Sequence, residues 1–128
     1  MKTAALYLGC LAVIIYIRLG LTFRRFDRMA ALSQAAGATA PFSGLSPGQV
    51  ARAIRRASRI VPGASCLTQA LSTKYLLGKT GRPSSVFIGV RKIEDRMQAH
   101  AWCICENRVV SGADGYDILT YNVIKRIE

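Results

Sequence analysis

Apolar residues run almost unbroken from Ala4 to Ile17 and resume after Arg18. This pattern predicts a long helix over residues 4–35, with Gly20 the point at which it can kink. Residues 37–44 hold Gly37, Pro41 and Gly44 among small polar residues and read as a loop. Ser46-Pro47 then supplies an N-cap and a proline suited to the first helical position. Over 47–60, Val50, Ala53, Ile54, Ala57 and Val61 recur at helical spacing, and Arg52, Arg55, Arg56 and Arg59 line another side. Pro62-Gly63 ends that helix. Ser65 can cap the next, expected from about Cys66 to Leu77 and stopped by Gly78 or Gly81. From Ser84 the period changes. Ser85 to Arg91 reads as a strand, 92–96 as a polar loop, and Ala99 to Cys105 as a second strand that His100 nearly opens. Glu106-Asn107 marks a turn and Arg108 to Ser111 the returning strand. Residues 116–127 suit a further strand or a short helix.

Helices followed by antiparallel strands predict an α+β fold. With 128 residues, 51% of them hydrophobic, the chain holds one folded core. We divide it into an N-terminal apolar and basic helix, residues 1–35, and a core over residues 46–128.

The uncharged stretch from Thr3 to Ile17 is shorter than the about 20 apolar residues a spanning helix needs. No small-residue cleavage site precedes Arg24-Arg25, so a removable signal peptide is not expected. Positive charge follows the segment (Arg18, Arg24, Arg25, Arg28) more than it precedes it (Lys2), so the expected location is cytoplasmic. Two placements of the segment stay open: docked on the domain or a partner, or lying at the inner face of an anionic membrane.

A net charge of +11, from 18 Lys+Arg against 7 Asp+Glu, favours anionic partners without choosing among them. Nucleic acid is not expected, because no binding motif accompanies the charge. The four cysteines (Cys10, Cys66, Cys103, Cys105) show no CxxC and no disulfide framework, which suits a reducing compartment. Cys103 and Cys105 share a strand face that points away from His100, so neither a metal site nor any other cofactor is expected. Cys10, Cys103 and Cys105 read as core.

Cys66 is different. At a helix start, free N–H groups and the dipole lower a thiol's pKa and can hold a developing oxyanion. The chain's only histidine, His100, follows on a strand and is the candidate general base. Trp102 shares its face, as an aromatic wall on the substrate side. A catalytic imidazole needs an orienting acceptor. If the hairpin holds an odd number of residues, Gly112 or Asp114 falls beside His100, and Asp114 is the acid within reach. A two-residue turn would present Ala113 instead. Asp117 is the fallback.

These blocks have a family look: Ser65-Cys66-Leu67-x-x-Ala70-Leu71, Gly81-Arg82-Pro83, Phe87 to Lys92, Ala99-His100-Ala101-Trp102 and Arg108-Val109-Val110-x-Gly112. Together they resemble the leader peptidases of lasso-peptide biosynthesis, which are transglutaminase-like cysteine proteases. The resemblance covers residues 62–112. It extends to Arg18-x-Gly20-Leu21-x-Phe23-Arg24-Arg25, similar to that family's leading helix. It implies a transglutaminase-like, papain-like core and a Cys-His-Asp peptidase that removes the leader from a ribosomally made precursor. Cys66 would be nucleophile and His100 general base and acid. The implied partners are the leader–core precursor, a separate leader-recognition protein and an ATP-dependent lasso cyclase. Many relatives carry the orienting Asp at the position of Gly112, a departure that puts the third residue in question. A catalytically inactive binding module that positions a peptide or partner at the membrane is the alternative.

Overall fold

The computed structural model describes residues 2–22, 28–31, 45–61, 65–112 and 120–128. Helix α1 spans Lys2–Thr22. Cys10, Ile14 and Ile17, at the i, i+4, i+7 spacing of one helix face, are fully buried. That face packs on the two helices that follow, so α1 is part of the core. The expectation of one helix continuing to residue 35 is corrected here. Met29, in a helical turn at 28–31, sits against Gly20, where a β-carbon would come within 2.4 Å of its Sδ. A straight helix would hold those two residues about 13 Å apart, so the chain folds back after Thr22. No helix among the described residues is long and apolar enough to cross a membrane.

Helix α2 (Pro47–Ser58) begins with a full capping box: Gln49 N–H donates to Ser46 Oγ, and Ser46 N–H donates to Gln49 Oε1. It buries Val50, Ala51, Ile54 and Ala57 and turns its arginines outward. Helix α3 (Cys66–Lys79) is capped by Ser65, whose Oγ accepts from Thr68 N–H. It ends at Thr80, with Gly81 at φ +83° reversing the chain.

Four strands follow: β1 (Ser85–Ile93), β2 (Arg96–Cys105), β3 (Arg108–Ser111) and β4 (Asn122–Ile127). They form one antiparallel sheet in the order β3-β2-β1-β4. This is the α+β architecture expected. Both hairpin turns, Glu94-Asp95 and Glu106-Asn107, hold two residues at positive φ, the geometry that matches strand twist. The uncommitted tail resolves as a strand and pairs with β1 at the far edge.

The sheet has two unlike faces. Val86, Ala101, Cys103, Cys105 and Ile127 point into the helical core. Phe87, Gly89, His100, Trp102 and Tyr121 stand on the other face, by the alternation of the pleat. Lys74 of α3 is 6% exposed, and its Nζ donates to the Ser84 carbonyl at 2.6 Å. That contact ties the last turns of α3 to the start of β1.

Candidate active site

Ser65 places Cys66 at the first position of α3. Helix geometry leaves the Cys66 and Leu67 amides without carbonyls four residues back, so this turn offers two N–H donors beside the thiol. Cys66 is half-buried and packs on the core. The other three thiols are fully enclosed. Burial pushes Cys10 and Cys103 up to about 12 and raises Cys105 as well. Cys66 is therefore the one thiol among the four with solvent access at the start of a helix.

His100 is 3% exposed. It lies in the middle of β2, opposite Gly89, and not at the strand's opening as its neighbours suggested. Arg96 to Ala99 are exposed, but the β1–β2 hairpin carries the ladder past the core to Ile93↔Arg96. The imidazole stacks on Trp102 (centroids 6.1 Å apart) and leans on Tyr121 (5.6 Å). Phe87 extends the stack behind Trp102. Arg91 fixes Tyr121 in place: its guanidinium lies 4.5 Å from the Tyr121 ring centroid, while Nε donates to Gln98 and Nη1 to Thr120. Gly89 allows this packing, since a β-carbon there would come within 2.9 Å of both Trp102 and Tyr121. Trp102, expected on the substrate side, is 4% exposed and forms an inner wall.

The ring is anchored by a backbone group. His100 Nε2–H donates to the Gly112 carbonyl. A carbonyl only accepts, so Nε2 carries a proton. Gly112 reaches this place through an irregularity. The two-residue turn pairs Cys105↔Arg108 and Ile104↔Val109, a register that would present residue 113 to His100. A bulge between Cys103 and Ile104 then shifts the pairing to Cys103↔Ser111, and Gly112 falls across from Trp102. Gly112 sits at φ +91°, and a β-carbon there would lie 2.6 Å from the Ala101 carbonyl oxygen and 2.8 Å from Trp102 Cβ. An acid side chain does not fit at this position. Asp114 and Asp117 lie outside the described residues.

Chain lengths draw Cys66 and His100 toward one end of the molecule. Lys74 lies level with Ser84 and interacts with Cys103. From Lys74 back to Cys66 is about 12 Å of helix, and from Cys103 back to His100 about 10 Å of strand. No Cys66–His100 hydrogen bond is present among the described residues, and His100 stands on the sheet face away from the helical core. Beside it, among the described residues, β3 ends at Ser111.

The structure thus brings His100 together with Trp102, Tyr121 and Gly112. Tyr121 and the Gly112 carbonyl went unread in the sequence. The one signal for Tyr121 was an aromatic in a tail of β-branched residues; nothing local marks a carbonyl as an acceptor.

A capped helix led by cysteine, followed by an antiparallel sheet bearing an enclosed histidine, defines a transglutaminase-like protein. The chain matches the family model of the Transglutaminase-like superfamily over residues 13–126 and belongs to that superfamily. The match opens within α1 and closes within β4, so the second half of the first helix lies inside the family domain. No curated protein and no solved structure matches the chain.

Proposed function

We propose that this protein is a cysteine peptidase that removes the leader from a ribosomally synthesised lasso-peptide precursor before macrocyclisation. The observation that carries the reading is the half-buried Cys66 at the capped start of α3, at the same end of the molecule as the enclosed imidazole of His100. Cys66 passes its proton to His100 as substrate seats; catalytic contacts commonly tighten only in the complex. The thiolate attacks the carbonyl carbon of the leader–core amide, forming a C–S bond and an oxyanion. The first-turn amides of α3 hold that oxyanion. The C–N bond breaks, and the His100 imidazolium protonates the departing core amine. Water, deprotonated by His100, then hydrolyses the leader thioester and regenerates the thiol. Trp102 and Tyr121 keep bulk water off the imidazole.

The blocks shared with lasso leader peptidases support this substrate, and a separate leader-recognition protein and a lasso cyclase are the partners it calls for. Peripheral contact with an anionic membrane is supported by the outward-facing Leu8, Ile15, Tyr16 and Leu19 of α1. Gly112, where the resemblance implies the orienting acid, favours a second reading, an inactive positioning module. Precursor cleavage with the leader-binding partner present separates the two. Cys66→Ala and His100→Ala are each expected to abolish cleavage. Cleavage undiminished in both variants would overturn the peptidase reading.

A further inference from the structure

Away from the thiol, a groove of about 760 Å³ runs between the first turns of α2 and the β2–β3 hairpin. That is the size of a built ligand cleft. Its walls carry Arg52, Arg55 and Arg108, all exposed. The one acid among the described residues of its lining, Glu106, is held in an ion pair by Arg82. The floor is apolar, with Val109 and Val110 half-buried on β3. β3 is the terminal strand of the sheet, so the outer side of its backbone borders the groove.

We propose that this groove docks an acidic, extended peptide segment, its carboxylates on the arginines and its backbone along β3. Arg52 and Arg108 over valines match a chain of alternating acidic and apolar residues, and an edge strand that no other described strand pairs on its outer side recognises extended backbone. Among the described residues no aromatic side chain lines the groove, and stacking platforms are what a single-strand nucleic-acid site uses.

Binding is read by fluorescence anisotropy on the whole protein with a labelled decapeptide alternating Glu and Val. The Gln-Val analogue, a single-stranded RNA decamer and anionic vesicles serve as comparisons. The Glu-Val peptide is expected to bind and the Gln-Val peptide to bind at least about tenfold more weakly, with affinity falling as salt rises. Arg52→Gln with Arg108→Gln, both on exposed side chains, is expected to remove most of that preference while the melting temperature stays put. Equal binding of the Glu-Val and Gln-Val peptides, RNA or vesicles bound as well as the acidic peptide, or a preference untouched in the double variant would each overturn the proposal. Because the assay needs no cleavage, its failure leaves the Cys66–His100 chemistry standing, and loss of cleavage in Cys66→Ala leaves the groove standing.

Discussion

Replacing Gly112 with alanine isolates the contact that holds His100. The β-carbon enters at φ +91° and 2.6 Å from the Ala101 carbonyl oxygen, with Trp102 Cα at 2.9 Å. Both are backbone atoms of β2 and cannot swing aside, so the 112 peptide must move. A strained backbone of this kind costs about 1–3 kcal/mol, and the overlap raises the expected loss to roughly 2–4 kcal/mol. With an unfolding entropy near 0.27 kcal/mol/K for a chain of this length, that loss lowers the melting temperature by roughly 7–15 °C. The same movement takes the carbonyl off Nε2. A hydrogen bond to an imidazolium is worth about 1.5–3 kcal/mol, so a rate that depends on the charged ring falls roughly ten- to hundredfold. The readout is the rate of precursor cleavage, measured below the melt. The expected result is slower cleavage near neutral pH. Gly112→Asp meets the same collision and is expected to do no better. A variant with unchanged melting and unchanged cleavage, or a Gly112→Asp that cleaves faster, would refute this account of the anchor.

Ile14→Ala, a fully buried position on α1, is expected to cost about 2–5 kcal/mol in urea unfolding; a neutral result would mean that α1 is an appendage and not core. Alkaline stability follows from the buried thiols. Cys10 and Cys103 rise from 9.0 to about 12 on folding, so the unfolded chain releases protons first, and stability declines as pH climbs from 9 toward 12. Lys74, lowered from 10.5 by burial, works in the opposite sense below 10.5. Cys10→Ala with Cys103→Ala is expected to flatten the decline in melting temperature between pH 8.5 and about 10.5, and an unaltered slope would exclude the thiols as its source. The Tyr121 hydroxyl is buried without a hydrogen-bond partner. Tyr121→Phe is therefore expected to leave stability unchanged or raise it by up to about 1 kcal/mol, while a marked loss would mean that the hydroxyl is bonded in solution.

The helix starts were legible because capping is local: Ser46 with Gln49 and Ser65 with Thr68 announce themselves within one turn. Cys66 and His100 were legible as residue types in the right order. The fold-back at Gly20 was not, since it depends on Met29 meeting a helix already in place. The full reach of β2 was hidden because Arg96 to Ala99 gain their place from ladder pairing and not from burial. β4 stayed ambiguous for a similar reason, with only Ile127 of its six residues buried. Parity around the hairpin led to the even-numbered residues by one route, and the structure arrives there by another. A two-residue turn gives the odd register, and the bulge undoes it.

That bulge makes the hairpin a counting device. The residue behind the imidazole is selected by how many residues separate Cys105 from Gly112, and not by which residues they are. Substitutions at Val109 or Val110 leave the count intact, so this short segment can drift in identity while the anchor stays. Losing a single residue there steps every later side chain to the opposite face and turns the 112 carbonyl to the other edge of its strand, leaving His100 with a different neighbour. Tolerance along Arg108 to Ser111 should therefore be wide for exchange and narrow for length, and a deletion scan across the hairpin would display that asymmetry directly.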